Sequence, residues 1–277
     1  MKLNKQTGFT IIEIAIVLLI VTILLGYTVA MFPIQQELKQ YRQVNAEMDD
    51  IMEALIAFAQ VNGRLPCPDT GGDINGTGTA GTVDGQEDAD DLILNATGVG
   101  GTDGLVDNCK AFFGFLPSAT LGMNGDINAN SVLQDPWGLA YGYAVSDIDF
   151  SVDGVIDLIS PNGIREEGLA NVNPDLFVCD DSTVVGNHAN CTAATVGNQV
   201  VGNVAVVITS LGKANELGAA SSNIQRENFD DFDDGTNDKV YISTTRSDVD
   251  DAEFDDIVKW ISPNLLFSKM IEADQLP

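Results

Sequence analysis

The chain has 277 residues and a formal charge of −28, from 41 acidic against 13 basic side chains. Such a surface repels nucleic acid and anionic lipid, which excludes binding modes built on phosphate neutralisation. Hydrophobic content is 44%, enough for a packed core, so the acidity does not mark a disordered chain.

A basic leader with Lys2 and Lys5 ends at Gly8. From residue 9 to residue 32 the only charged side chain is Glu13, and Pro33 follows. A helix needs about 20 apolar residues to cross a bilayer, and this run supplies them. A secretory signal peptide places its small cleavage residue after the apolar region. Here Gly8 precedes that region, so cleavage after Gly8 removes the leader and keeps the helix. A carboxylate in hydrocarbon is costly, which makes Glu13 a functional candidate. The plainer reading is a signal anchor whose acid snorkels to the headgroups. Cleavage would create an α-ammonium on Phe9, able to neutralise Glu13 of a neighbouring copy.

Apolar residues then recur at Ile34, Leu38, Tyr41, Val44, Met48, Ile51, Leu55 and Phe58. Steps of three and four predict an amphipathic helix over 34–63, with Asn62-Gly63 as its stop signal. Pro33 is expected to kink or loosen the helix between its two parts. Residues 64–108 read as a loop region that opens on Arg64-Leu65-Pro66-Cys67-Pro68-Asp69. Phe112-Phe113-Gly114-Phe115-Leu116-Pro117 is apolar enough to dock that region on the core. Asp135-Pro136 opens a turn, and Tyr141, Tyr143 and Val145 alternate as in a half-buried strand. Further strands are expected at 155–159, at 203–209 through Val204, Val206 and Ile208, and at 239–243. A short helix is expected near the C-terminus, after Pro263 and up to Ala273.

The string Gly8-Phe9-Thr10-Ile11-Ile12-Glu13 with its basic leader and long apolar helix resembles the N-terminus of type IV prepilins and type II secretion pseudopilins. The likeness covers about the first 30 residues. The Asp135-Pro136-Trp137-Gly138 turn and its Tyr-rich strand resemble the globular domain of major pseudopilins. The C-terminal tail and the Leu65-Pro66-Cys67-Pro68 segment resemble long prepilin-like proteins. The family resemblance implies an α+β, pilin-like lollipop: a long N-terminal helix, transmembrane then amphipathic, packed on a mainly antiparallel sheet with long loops. Its parts would be a cleaved leader (1–8), a transmembrane and assembly helix (9–33), its amphipathic continuation (34–63) and an exported acidic domain (64–277). A prepilin peptidase would cut after Gly8 and methylate Phe9, and Glu13 would guide docking into a filament. Positive charge stays cytoplasmic, so the leader predicts a single-pass, N-in protein of the inner membrane with a periplasmic domain.

All four cysteines, Cys67, Cys109, Cys179 and Cys191, lie on the exported side, and an even count there favours disulfides. Three pairings are open. Cys67 with Cys109 and Cys179 with Cys191 is the expected one, because each pair closes a Gly- or Asn-rich loop. A single His188 and the lack of a C-x-x-C motif argue against zinc. Two acidic stretches offer oxygen ligands to calcium. One spans 69–91 with Asp73, Asn75, Asp84, Glu87 and Asp88. The other spans 216–256. Neither follows the EF-hand pattern, and an acidic solvated surface is the plainer account. The pseudopilin resemblance points to Ser210, Glu216, Asp255 and Asp256 as calcium ligands, with Asp157 and Ser160-Pro161-Asn162-Gly163 as a rival set.

The resulting expectation is a structural protein and not an enzyme: a minor pilin or pseudopilin. Its partners would be the prepilin peptidase, other subunits and an inner-membrane assembly platform. After assembly it would sit in a periplasmic or extracellular filament. A calcium-dependent adhesive tip and a membrane-anchored periplasmic hydrolase using His188 are the alternatives.

Overall fold

The structure is a computed structural model. It describes residues 10–71, 83–90, 93–94, 100–101, 108–149, 156–160, 163–167, 173–180, 199–213, 228, 239–247 and 254–276. Within these, the side chains of 27–34, 89–90, 93–94, 100–101, 108 and 166–167 are not described. In chain order the elements are α1 (Ile11–Asn62), β1 (Ala89–Asp90), β2 (Ile93–Leu94), β3 (Gly100–Gly101), β4 (Asn108–Cys109), β5 (Phe113–Phe115), β6 (Gly142–Val145) and α2 (Gly163–Glu167). They continue as β7 (Leu176–Cys179), β8 (Gln199–Val204), β9 (Val206–Ser210), β10 (Val240–Ile242), β11 (Ile257–Ile261) and α3 (Pro263–Glu272). The chain divides into two units, Met1–Gln43 and Val44–Pro277.

In the first unit the apolar side chains of α1 stand exposed, Ile11 at 89% and Leu19 at 61%. Among the described residues no helix is long and apolar enough to cross a membrane. Side chains of the apolar run are described only over 11–26, short of the roughly 20 residues a span needs. The expected weakening at Pro33 does not end α1, which is continuous there. One proline removes one donor, and the helix survives it.

In the second unit α1 turns its stripe inward. Val44, Met48, Ile51, Leu55 and Ala59 are fully buried, at the spacing of one helix face. The stripe ends at Ala59 and not at Phe58, which is half-buried under the Arg64 guanidinium, 5.2 Å from its ring centroid. Gly63 closes the helix at φ 72°, its N–H donating to the Ala59 carbonyl at 2.8 Å. That left-handed geometry suits glycine, as the stop signal requires.

The stripe packs on a four-stranded sheet ordered β11-β9-β6-β5, antiparallel throughout. Tyr143, Val145, Val206, Ile208 and Ile261 share a core with α1 and with Leu266, Phe267 and Met270 of α3. The opposite face carries Phe113, Ala144, Val207 and Val258, which meet Leu176, Val178, Val204 and Tyr241. Those last residues belong to a second sheet ordered β10-β7-β8. Helix, sheet and sheet thus form three layers, and the first sheet is buried on both faces. The second sheet is mixed, with β7 and β10 parallel and β7 and β8 antiparallel.

One residue separates β8 from β9. Asn203 at φ 59° and a bend at Ala205 carry the chain from one sheet to the other. Asparagine tolerates that conformation better than other side chains. The Ala205 N–H donates to the Ile261 carbonyl at 3.0 Å, which anchors the corner.

One expected strand is absent. Among its described residues, 157–159 form a turn, with the Ile159 and Ser160 N–H groups donating to the Ile156 carbonyl. Leu158 and Ile159 are fully buried, and the Leu158 carbonyl accepts from the Leu65 N–H at 2.8 Å. The apolar run is real, but it serves as a buried plug beneath the chain that leaves α1. A short apolar run does not by itself distinguish the two.

Candidate functional site

Gly8 and Phe9 lie outside the described residues. Glu13 sits in the first turn of α1, where an acid is favoured by the helix dipole. Its Oε2 accepts from the Thr10 N–H and the Thr10 hydroxyl, each at 3.4 Å. The Glu13 and Ile14 N–H groups donate in turn to the Thr10 carbonyl, at 3.1 and 3.2 Å. Thr10-x-x-Glu13 is thus half of a capping box, with Glu reaching back to the N-cap N–H. The sequence contained this signal, but the reading of Glu13 as an intermolecular partner passed over it.

In the second unit, Cys67 and Cys109 form a disulfide. Cys179 is also disulfide-bonded, and Cys191 lies outside the described residues. Acids of the 69–91 stretch act as struts inside this closed loop. Glu87 takes a bidentate pair from Arg64, at 2.7 and 2.8 Å, and the Cys67 N–H at 3.0 Å. Asp88 accepts from Lys110 Nζ at 2.8 Å and from the Thr70 N–H at 2.9 Å. Burial opposes the Asp88 charge, but the Lys110 and Thr70 bonds prevail and hold its carboxyl below the ordinary range. Asp69 is 1% exposed and accepts from the Gly85, Asp84 and Gly71 N–H groups at 2.6, 3.0 and 3.2 Å. Burial pushes it up to about 6, against the amide bonds. These carboxylates are spent on the fold. Asp73, Asn75 and Asp91 lie outside the described residues.

The expected calcium residues are divided. Ser210, at the end of β9, donates its hydroxyl to Asp135 Oδ2 at 2.7 Å. Asp135 Oδ1 accepts from the Trp137 and Leu139 N–H groups, both at 2.9 Å, which builds the Asp-Pro-Trp-Gly turn. Asp255 accepts from the Lys213 N–H at 2.7 Å. Gly212 between them has φ 66°, and a Cβ there would lie 2.5 Å from the Asp255 carbonyl oxygen. Asp256 faces elsewhere, toward Asn228 Nδ2 at 2.9 Å, and burial pushes it up to about 8. Asn228 in turn brackets Ile242 of β10, donating to its carbonyl and accepting from its N–H. Glu216 and His188 lie outside the described residues. In the rival set, Asp157 and Ser160 are buried within the 157–160 turn. Among the described residues no group of three or more His, Cys, Asp or Glu could hold a metal ion.

The decisive region is therefore the first turn of α1 and the apolar run behind it. A prokaryotic N-terminal methylation motif matches residues 3–29. The chain carries a prepilin-type N-terminus. That match supports a place in the type IV prepilin and pseudopilin family. It spans Gly8, Phe9 and Glu13 and none of the α+β domain. Neither the curated proteins nor the solved structures gave a match to this chain.

Proposed function

We propose that this chain is a minor pilin or pseudopilin of a type IV pilus or type II secretion filament. The observation that carries the reading is the methylation motif with Glu13 in the first turn of α1. Prepilin peptidase cuts after Gly8 and methylates Phe9. The apolar run holds the subunit in the inner membrane, N-terminus inside, until assembly moves the helix into a bundle with other subunits. The acidic domain lies on the periplasmic side, where Cys179 pairs with Cys191. The alternative is a calcium-dependent adhesive tip, with Ser210, Glu216, Asp255 and Asp256 as the ligands.

Intact mass of the protein recovered from membranes tests the processing. A chain beginning at N-methylated Phe9, with two disulfides by non-reducing peptide mapping, is the expected result. A mature chain that retains Met1, or one cut beyond the helix, removes the assignment. A rise in Tm with calcium that EDTA reverses supports the ion, and an unchanged Tm removes it.

A further inference from the structure

An asparagine amide can be attacked by the backbone nitrogen of the next residue, and glycine, with no Cβ, leaves that nitrogen most open to the reaction. Asn-Gly pairs occur at Asn62, Asn75, Asn124 and Asn162. Asn75 and Asn162 lie outside the described residues. At Asn62 both reacting groups are engaged. Its Nδ2 donates to the Phe58 carbonyl at 2.9 Å, and the Gly63 N–H donates to the Ala59 carbonyl at 2.8 Å. At Asn124 neither group is engaged. Asn124 and Gly125 are exposed, and neither makes a hydrogen bond among the described residues. Two more asparagines of the same loop are held. Asn128 Oδ1 accepts from the Asn130 and Val132 N–H groups at 2.9 and 3.1 Å, which fixes its amide. Asn130 is exposed, but the nitrogen after it is occupied, because the Ser131 N–H donates to the Asn128 carbonyl at 3.1 Å.

We infer that Asn124 is a site of spontaneous deamidation, selected within its loop by the free nitrogen of Gly125. Gly125 N loses its proton to hydroxide and attacks Asn124 Cγ. The side-chain nitrogen takes up a proton and leaves as ammonia, and a five-membered succinimide remains. Water then adds to one of the two ring carbonyls. One opening yields aspartate at 124. The other yields isoaspartate, in which the main chain runs through the former side chain. Both products add a carboxylate beside Asp126. Isoaspartate also lengthens the chain between two fixed points, the Met123 N–H on the Ser118 carbonyl at 2.9 Å and the Asp126 carbonyl under the Gln134 N–H at 2.8 Å. Gly125 itself lies against Leu133, whose Cδ1 is 2.6 Å from where a Cβ would stand. The added atom therefore strains a packed turn. The inference goes beyond the filament reading and does not depend on it, since it concerns any folded copy kept in water.

Peptide mapping of the folded, full-length protein in detergent tests the site. Mildly alkaline pH speeds removal of the amide proton. Under that condition Asn124 should convert at least about tenfold faster than Asn62, Asn128 or Asn130, a ratio that modest local opening imposes. Isoaspartate elutes apart from aspartate at the same mass and is labelled by an isoaspartyl methyltransferase. Unfolding in urea breaks the helix end, so Asn62 should then convert as fast as Asn124. Asn124→Gln should abolish the product and leave Tm unchanged, because the amide it replaces makes no bond. Conversion of Asn62 or Asn130 as fast as Asn124 in the folded protein overturns the inference. So does a folded Asn124 that stays intact while the unfolded one converts.

Discussion

Arg64 and Glu87 show how a single pair can hold a loop. Arg64 is 8% exposed and directs both terminal nitrogens at Glu87. A pair removed from water is costly to break, because the survivor stays buried without its counter-charge. Glu87→Gln keeps the shape but leaves the guanidinium facing a neutral amide. It should cost about 3 kcal/mol. Replacing both residues by apolar ones of similar volume should cost less than Glu87→Gln alone. Urea midpoints of the three proteins measure this, and equal losses would show that the pair acts independently of charge. Asp69 makes a different prediction. Its carboxyl titrates near 6 in the folded chain, against an ordinary value of 3.8. Between those values the folded state binds more protons than the unfolded one, so stability falls as pH rises through the window. The contribution is fully present below about 4 and lost above about 6. Asp69→Asn removes it. The difference between wild-type and variant unfolding free energy should therefore change between about pH 4 and 6 and flatten above, and a difference constant across that window would refute the assignment.

At the scale of elements, α1 supports a direct packing test. Leu55 is fully buried in the core, while Val61 on the same helix is 78% exposed. Leu55→Ala should cost about 2–5 kcal/mol through lost burial and a cavity. Val61→Ala should change stability by less than about 0.5 kcal/mol. Comparable losses at both positions, read by thermal unfolding, would mean that the stripe is not the packing face. This element was legible because its period is long and clean, and Gly63 marks the end where α1 stops. β6 and β10 were legible through alternation or compactness. β7 and β11 were not marked as strands. In β9 the whole of Val206–Ser210 is buried, with Val206 and Ile208 on the α1 side and Val207 toward the second sheet. The strand expected at 203–209 is instead two, divided by the bend at Ala205, and the alternation of Val204, Val206 and Ile208 carries no mark of that break. The turn at 157–159 failed for another reason, an apolar run without a ladder. At the candidate site, the Cys67–Cys109 disulfide was legible from local sequence. The partners of Glu87 and Asp256 were not, because Arg64 and Asn228 meet them only after folding.

For the whole molecule, the largest contrast is between an acidic, disulfide-bonded domain and an apolar helix with one charge in its first turn. In the proposed reading, that charge decides whether the helix is only an anchor or also an assembly element. In the single chain the Glu13 carboxylate is held by Thr10 at the helix start. Glutamine occupies the same capping-box position as well as glutamate does, so Glu13→Gln leaves the helix terminus formed. A neutral amide is cheaper to bury than a carboxylate, so membrane insertion should persist or improve. Gly8 is unchanged, so cleavage should persist. What the substitution removes is the negative charge that a neighbouring Phe9 ammonium would meet. Incorporation into sheared filaments, measured as the ratio of variant to wild-type subunit at matched membrane levels, should therefore fall. The drop should be smaller if the subunit occupies a tip, where no preceding copy presents an ammonium. Equal incorporation, with insertion and cleavage intact, would leave Glu13 as a helix cap and rule out charge pairing as the basis of assembly.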